Sequence, residues 1–402
     1  MTTVTDFKQA PHKLNRLHLH ICTESNVVPV FLVPSKSPMR FSTPMPILPC
    51  RTYPPDFIPV LGDCIRMTRE VVLSTEGQPF LISGSGTLGW DQARHVAANL
   101  IQPGENALVL HSGYFGDSFT ECLETYGAKV DQLKAEIGAA VSQDAIESAL
   151  KSKKYRLLTF THVDTSTAVL SDAKAISETV RRVSPDTLVI LDGVCSVASE
   201  ELRMDAWGID VVLTASQKGL GVPPGLSILV ASPRAIKVFE SRTAPVGSYY
   251  ASWKKWLPIM KAYEEGRAAY FATPPVNLIY AYHTALTQIT KKAPSLEERF
   301  ELHRAASKQI KDTATQLGLK QLALEPAFAA MGMTALYFPD GMSAADVIPK
   351  FGAKGIIVAG GLHAAIKDKY FRVGHMGITA VDGQRGDIQS ITNALKEVFA
   401  AK

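Results

Sequence analysis

The chain has few of the features that mark membrane, extracellular or nucleic-acid-binding proteins. It contains no run of about 18 apolar residues, the length that a membrane-spanning helix needs. The 42 basic and 38 acidic residues leave a formal net charge of only +4, which gives no electrostatic reason to expect nucleic acid or an anionic membrane as a partner. The five cysteines are scattered, odd in number and never in a CxxC arrangement: Cys22, Cys50, Cys64, Cys122 and Cys195. This usage is typical of reduced thiols, so we expect a soluble intracellular protein.

The two ends of the chain leave the compartment open. Residues 1–20 carry Lys8, Lys13 and Arg16 but only one acid, Asp6, a composition seen in mitochondrial transit segments. Prolines then recur up to position 55 without a helical or strand period, so a poorly ordered extension is the alternative that we expect. The C terminus is not an SKL-type peroxisomal signal.

A regular pattern begins near residue 57, where short apolar runs alternate with amphipathic stretches. The apolar runs are Pro79–Ile82, Ala107–Leu110, Arg156–Thr161, Leu188–Leu191, Val211–Thr214 and Leu226–Val230. The amphipathic stretches include Trp90–Leu100, Ser118–Tyr126 and Asp172–Val183. Strands that are apolar on both faces and are joined by helices predict an α/β fold with a mostly parallel sheet flanked by helices.

A different pattern follows residue 295 and predicts a smaller C-terminal α+β domain. A long amphipathic stretch, Leu296–Leu317, precedes three strand-like runs and a last helix near residues 386–400. The strand-like runs are Met333–Phe338, Gly355–Val358 and Tyr370–Val373. We therefore predict an atypical N-terminal extension (1–53), a large domain (54–294) and a small domain (295–402).

A glycine-rich turn, Ser83–Thr87, follows the first predicted strand and precedes a helix. Glycines let the backbone approach a phosphate closely, and helix N-terminal amides and hydroxyls donate hydrogen bonds to it. Residues 84–89 also match GxGxxG, the dinucleotide-binding fingerprint, which requires an acid at the end of the next strand. That strand is followed by His111-Ser112-Gly113, so the turn indicates a phosphate site and argues against NAD. A purely structural turn is the remaining alternative.

Two charged residues stand at the ends of predicted strands. Asp192 ends the run Leu188–Leu191, and Lys218 follows the run Val211–Thr214. Each alone is compatible with a helix cap or a solvated side chain. Ligands of α/β sheets bind at the carboxyl ends of the strands, and together with the turn these residues suit an anion, a protonated ring nitrogen and an aldehyde. A desolvated lysine attacks carbonyls, and a carboxylate keeps a pyridine nitrogen protonated.

Four blocks of this sequence resemble the class V pyridoxal-phosphate enzymes. The resemblance is to the alanine–glyoxylate and serine–pyruvate aminotransferases, closest to the fungal alanine–glyoxylate branch, and it covers roughly residues 54–400. The blocks are Ser83–Asp91, Thr161–Asp172, Ala215–Lys218 and Tyr270–Pro275. The resemblance implies a fold type I pyridoxal-phosphate transferase with a large cofactor-binding domain.

The resemblance also implies how the cofactor, pyridoxal 5'-phosphate, would be bound. Its phosphate would be held by Ser85, Gly86, Thr87 and Gln217. Phe115 would stack on the pyridine ring, at a position where relatives can carry tryptophan, and phenylalanine keeps the face-to-face contact. Thr165 would hydrogen-bond near the ring oxygen, and Val194 would pack on the opposite face of the ring.

The remaining roles implied by the resemblance concern catalysis, substrate and assembly. Asp192 would pair with the ring nitrogen, and Lys218 would form the covalent link to the cofactor. Arg372 interrupts an apolar strand pattern, and the resemblance makes it the clamp on the substrate carboxylate, for which its planar fork is suited. Tyr270 and Thr273 match positions that reach the phosphate from the other subunit, which implies a homodimer with shared active sites.

The implied reaction is the transfer of an amino group from alanine, or from serine, to glyoxylate. A cysteine desulfurase is an alternative that needs a nucleophilic cysteine late in the chain, whereas all five cysteines lie at or before position 195. A non-catalytic relative is another alternative. Residues 1–50 lack the Gly/Pro-rich segment that enters the pocket in the family, and Pro46–Pro49 is the nearest match. No metal is expected, because His18 and His20 have no second ligand cluster.

Overall fold

The structure is a computed structural model that describes residues 56–91 and 97–400. The predictions for residues 1–53, including the transit segment, the HxH pair and the proline-rich stretch, lie outside the described residues. No helix in the described part of the chain combines the length and the apolar character required to cross a membrane.

A seven-stranded sheet forms the centre of the N-terminal part. The described residues before position 232 contain nine strands: β1 Gln78–Ser83, β2 Asn106–His111, β3 Lys129–Lys134, β4 Leu157–Thr161, β5 Val163–Asp164, β6 Val169–Leu170, β7 Leu188–Asp192, β8 Val211–Ala215 and β9 Leu226–Ala231. The sheet order is β1-β9-β8-β7-β4-β2-β3, while β5 and β6 form a separate two-stranded pair. In this sheet β9 runs in the direction opposite to that of the other six strands, which are parallel to one another. The predicted mostly parallel sheet is therefore confirmed.

Burial explains which strands could be read from the sequence. Every residue of β4, β7, β8 and β9 is buried, which is why these strands appear as continuous apolar runs. The strand β3 lies at the edge of the sheet with half-buried and exposed positions, and its sequence KVDQLK contains no apolar run. The sequence analysis therefore missed β3, because an edge strand has one side open to solvent.

Helices cover the sheet and begin at recognisable caps. They are α1 Phe57–Val71, α2 Gly86–Asp91, α3 Ala97–Leu100, α4 Tyr114–Thr125, α5 Gln143–Ser152, α6 Ala173–Val183, α7 Met204–Trp207, α8 Pro233–Glu240, α9 Trp253–Glu264 and α10 Val276–Thr290. The side chains of Ser142, Asp172 and Ser232 accept hydrogen bonds from backbone amides in the first turns of α5, α6 and α8. These caps satisfy amides that have no partner within the helix.

The C-terminal part is a small antiparallel sheet covered by helices. Its elements are α11 Leu296–Gln316, β10 Met333–Tyr337, α12 Ala344–Gly352, β11 Ala359–Gly360, β12 Tyr370–Gly374, α13 Ile378–Val381 and α14 Asp387–Phe399, with sheet order β10-β12-β11. The predicted strand Gly355–Val358 is wrong, because these residues form a turn and a loop that precede β11. Ile356 and Val358 are buried and gave the alternation typical of a strand, whereas Gly355 has a φ of +75° that only a turn uses.

Separate hydrophobic clusters fill the two parts. One lies around the large sheet, and another joins α11, α12 and α14 to the small sheet through residues such as Phe351 and Phe371. A third cluster connects the two parts and includes Val163, Cys195 and Met333. The predicted division at residues 294 and 295 is compatible with these clusters and stays a prediction.

Candidate active site

A cavity of about 270 Å³ lies at the carboxyl ends of the parallel strands. Its lining residues are Ser85, Gly86, Thr87, Trp90, Phe115, Thr161, Val163, Thr165, Asp192, Val194, Gln217 and Lys218. Nine of the twelve predicted site residues are among them. Strands β4, β7 and β8 are parallel neighbours, so their carboxyl ends deliver side chains to one place.

Asp192, the last residue of β7, is a buried carboxylate at the floor of the cavity. Its Oδ2 accepts a hydrogen bond from the Trp90 indole Nε1 at 2.6 Å, and its Oδ1 accepts one from the backbone N of Val194 at 2.9 Å. Burial raises the pKa of the Asp192 carboxyl to about 6, and these two hydrogen bonds oppose the rise. At pH 7 the group is therefore mostly ionised and sensitive to its surroundings.

Lys218 lies three residues beyond the end of β8 and is only 3% exposed. Burial lowers the pKa of its amine, and the positive charge of Arg372 acts in the same direction. A lowered pKa increases the neutral fraction of the amine, which is the form that attacks a carbonyl. The predicted convergence of an acid and a reactive amine is thus present in one cavity.

The glycine-rich turn closes one end of the cavity against the strand ends. A Cβ added at Gly86 would lie 3.0 Å from a methyl of Val194 and 3.2 Å from Cβ of Ala215, so the turn packs too closely for a larger residue. Ser85 and Thr87 are exposed on the same turn. Across the cavity, the buried Oε1 of Gln217 has no hydrogen-bond partner among the described residues. A buried side-chain amide with an unpaired oxygen is suited to bind a polar group of a ligand.

Phe115 forms an aromatic wall of the cavity together with Trp90. The two rings meet edge to face with centroids 5.4 Å apart, and Phe119 stacks with Trp90 at a centroid distance of 5.9 Å. Phe115 lies in the first turn of α4, which begins directly after the loop that follows β2. The predicted stacking position is therefore part of a packed aromatic group.

Arg372 lies beside this cavity, within β12 of the C-terminal part, and is 2% exposed. Its Nε donates to the backbone O of Gly360 at 2.7 Å, and its Nη1 donates to the backbone O of Thr165 at 3.0 Å. Burial lowers the pKa of the guanidinium. Because Thr165 lines the cavity, the bond to its carbonyl fixes the guanidinium at the edge of the site.

The sequence analysis missed a second buried acid, Asp164, which is linked through Ser166 to the start of the helix that carries Phe115. Its Oδ1 accepts hydrogen bonds from the backbone N of Ser166 at 2.8 Å and from the Ser166 hydroxyl at 2.5 Å. The Ser166 hydroxyl oxygen in turn accepts a bond from the backbone N of Tyr114, at the start of the helix that carries Phe115. Burial raises the pKa of Asp164. The two-residue strand that contains Asp164 gave no sequence signal for this role.

Tyr270 and Thr273 are not brought to the cavity of their own chain. Both residues are exposed, Tyr270 by 60% of its side-chain surface, in the segment between α9 and α10. The prediction that they contribute to the site of another subunit is not tested by a single chain.

The described residues fit pyridoxal 5'-phosphate. The cavity combines a buried acid, a buried amine, a close-packed glycine turn and an unsatisfied amide oxygen in one place. The cofactor needs the same set: a phosphate site, a partner for the ring nitrogen and an amine for the aldehyde. Among the described residues, no group of His, Cys, Asp and Glu side chains is arranged to hold a metal ion.

Comparison with known proteins gives one consistent family. A family model described as aminotransferase class-V matches residues 81–379. The chain is 43% identical over 337 residues to alanine–glyoxylate aminotransferase 1 of Saccharomyces cerevisiae, covering 81% of this chain and 86% of that protein. It is 29% identical to the L-aspartate–glyoxylate aminotransferase of Paracoccus denitrificans, with 87% of this chain and 86% of that protein covered.

A solved structure agrees with these sequence relatives. The alanine–glyoxylate aminotransferase of Nostoc sp. superimposes with a TM-score of 0.78 at 27% identity, covering 86% of this chain and 88% of that chain. A cysteine desulfurase from Thermococcus onnurineus superimposes with a TM-score of 0.65 at 13% identity, which shows a shared fold alone.

Proposed function

Because this chain belongs to the class V aminotransferases, we propose that it transfers the amino group of alanine to glyoxylate, giving pyruvate and glycine. The activity is a pyridoxal-phosphate-dependent transamination, and the fold is fold type I of the enzymes that use this cofactor. The observation that carries the proposal is the convergence of Lys218, Asp192 and the Gly86 turn on one cavity. Serine is a second donor in this proposal, since a relative from Methylorubrum extorquens that is 27% identical over 325 residues is named serine–glyoxylate aminotransferase.

We propose that the cofactor is held as the resemblance to the family implies. Its phosphate would be bound by Ser85, Gly86, Thr87 and Gln217, and its ring would lie between Phe115 and Val194, with Thr165 near the ring oxygen. When bound, pyridoxal 5'-phosphate supplies an aldehyde carbon and a ring that accepts electron density. Asp192 would place its negative charge at the ring nitrogen, where it favours the protonated ring.

Lys218 would be both the attachment point and the proton carrier. Its Nζ is buried in a cavity where its pKa is lowered, so the amine can accept a proton from the substrate Cα and return it. The neighbouring walls exclude water from the amine, because Val194 and Phe115 are apolar and line the same cavity. These features support Lys218 as the catalytic base.

Arg372 would bind the carboxylate of the amino acid and of the keto acid. A guanidinium binds a carboxylate through two parallel hydrogen bonds. The bonds to Gly360 and Thr165 hold the group rigidly, which fixes the orientation of the substrate before proton transfer. This role accounts for an arginine that is buried within an apolar strand.

We propose a homodimer in which Tyr270 and Thr273 reach the partner's phosphate site. Tyr270 lies in an exposed segment that also contains Phe271, and Tyr249 and Tyr250 pack against the ring of Phe271. Tyr249 is 74% exposed, and a patch of exposed aromatic side chains is typical of an interface. An isolated chain would then lack part of its cofactor site.

The cysteine desulfurase alternative receives no support from the described cysteines. Cys64 and Cys195 are buried, Cys122 is half-buried, and none of the three lines the cavity. Burial raises the pKa of the thiols of Cys64 and Cys195, which disfavours the nucleophilic thiolate.

The deciding experiment is an assay of pyruvate formation from alanine with and without glyoxylate, with serine and aspartate as parallel donors. We expect glyoxylate-dependent turnover, yellow protein, and borohydride fixation of the cofactor to the peptide that contains Lys218. Colourless protein that does not take up pyridoxal 5'-phosphate would refute the proposal. A coloured protein inactive with every donor would instead support the non-catalytic alternative.

A further inference from the structure

Trp90 lies between the buried acid and the aromatic wall of the site. Its indole Nε1 donates to Asp192 Oδ2 at 2.6 Å, and its ring packs edge to face with Phe115 and stacks with Phe119. The side chain is 5% exposed, so the hydrogen bond is shielded from water. One residue therefore contacts both the carboxylate predicted to meet the ring nitrogen and the ring predicted to stack on the cofactor.

The hydrogen bonds to Asp192 come from opposite sides and leave it little freedom. The Val194 amide binds Oδ1, and the Trp90 indole binds Oδ2. An indole N–H is only a donor, so it stabilises a carboxylate and offers nothing to a protonated acid's O–H. The other charged groups whose fields act on Asp192 are the amine of Lys218, which favours the ionised form, and the carboxyl of Asp164, which opposes it.

We propose that Trp90 is a positioning residue that orients Asp192, keeps it ionised for the ring nitrogen of the cofactor, and braces Phe115 against the ring face. This inference rests on the proposed function, and it adds a residue for which the sequence analysis assigned no role. Since Trp90 is in α2, directly after the glycine turn, the phosphate site and the acid would be fixed by the same short segment.

The test separates the indole N–H from the ring. Trp90→Phe keeps an aromatic side chain and removes the donor, whereas Trp90→His keeps a ring N–H. The Asp192 titration is followed by carbon-13 NMR of the full chain freed of cofactor, with Asp192→Asn to assign the signal. We expect the Asp192 carboxyl to titrate with a pKa of about 6, because burial raises it, and the midpoint to lie about one to two pH units higher in Trp90→Phe and to be partly restored in Trp90→His.

A second readout uses the dissociation constant of pyridoxal 5'-phosphate measured against pH. The midpoint should move upward in Trp90→Phe by the same one to two pH units, with about two- to tenfold weaker affinity at pH 7. Tyr155→Phe is the matched control, because it removes the donor of another buried aromatic side chain to a carboxylate, that of Asp131 in the edge strand β3, outside the cavity. It should leave both profiles unchanged.

An additional measurement guards against a variant that does not fold. In the wild-type chain the indole N–H signal of Trp90 should shift with pH at the Asp192 midpoint, and Asp192→Asn should abolish that shift. An indole signal that does not titrate, or a Trp90→Phe profile identical to the wild type, would overturn the inference. Failure of the wild type to bind pyridoxal 5'-phosphate would refute the proposed function instead, while the Asp192 titration would still test the contact with Trp90.

Discussion

Two buried aspartates at opposite ends of the neighbouring parallel strands β7 and β8 differ in which groups bind their carboxylates. Asp210 precedes β8, and its Oδ2 accepts hydrogen bonds from the Val189 backbone N at 2.8 Å, from Arg181 at 2.8 Å and from Arg234 at 3.3 Å. Asp192 ends β7 and accepts hydrogen bonds from the Trp90 indole and the Val194 amide, and in the described part of the chain it forms no salt bridge with an arginine. The charge of Asp210 is neutralised by two arginines of the protein. The charge of Asp192 is available to a ligand.

The contrast distinguishes a buried acid that stabilises the fold from a buried acid that is suited to binding a ligand. A buried ion pair with two cations uses its charge to hold elements together, here α6, α8 and the start of β8. A buried acid without a cation pair has a pKa that is easily moved, which is common at active sites. The carboxyl edge of a parallel sheet is where such incompletely satisfied groups collect.

The largest effect on turnover should come from replacing Lys218, whose amine lines the same cavity as Asp192. Lys218→Ala removes both the cofactor attachment and the base, so we expect turnover to fall at least about 10³-fold. The matched control is Lys311→Ala, since burial also lowers the pKa of the Lys311 amine, to about 8, but its Nζ donates to the carbonyl of Ala330 outside the cavity. Alanine–glyoxylate turnover measures both, and equal losses would show that the cavity has been misassigned.

Asp192→Asn should lower turnover by about 10²-fold, and its thermal stability should fall less than that of Asp210→Asn, because the amide loses one hydrogen bond and no ion pair. The amide keeps the shape of the side chain but removes the charge that favours a protonated ring. Steady-state kinetics and thermal unfolding of the same preparation check both parts. Normal turnover in this variant would contradict the assigned role of Asp192.

Arg372 extends the comparison to cations, because its guanidinium donates hydrogen bonds to the backbone carbonyls of Gly360 and Thr165, while Arg181 is paired with a carboxylate. Arg372→Ala should raise KM for alanine and glyoxylate about 10- to 100-fold, and Arg372→Lys should recover only part of this, since an ammonium lacks the planar fork. Unchanged KM values in both variants would exclude the carboxylate clamp.

Asp210→Asn should show the opposite profile from Asp192→Asn. We expect the free energy of unfolding to fall by about 2 kcal/mol, less than for a fully buried pair because Arg181 and Arg234 remain about one-third exposed. Turnover per folded molecule should be unchanged. Denaturant unfolding and activity of the folded fraction measure the two effects, and a loss of turnover without loss of stability would remove the contrast between the acids.

The smallest effect concerns pH. The pKa of Asp192 is raised to about 6 by burial, so the ionised form is lost as pH falls through that value. If only the ionised form favours the cofactor, its affinity should decrease about tenfold between pH 7 and pH 5. The cofactor phosphate also titrates in this range, so the informative quantity is the difference between wild type and Asp192→Asn. An identical pH profile in the two proteins would show that Asp192 does not control binding.

Much of the site was predictable because its residues occupy strand ends that the sequence marks. Asp192, Lys218 and Gly86 follow continuous apolar runs, and parallel strands align their carboxyl ends. Trp90 and Asp164 could not be predicted in the same way, since their roles depend on contacts across the fold. The bond from Trp90 to Asp192 joins residues 102 positions apart.

The sequence alone determined the class of fold and the positions of most strands of the large sheet, because fully buried strands require apolar runs, and it showed that Asp192 and Lys218 stand at strand ends. Tertiary structure decided which acid is paired with arginines of the protein and which can act on a ligand. Whether a buried carboxylate meets arginines, as Asp210 does, or an indole, as Asp192 does, depends on helices that pack from distant parts of the chain. Hydrogen-bond partners of this kind are set by three-dimensional proximity, which local sequence patterns do not contain.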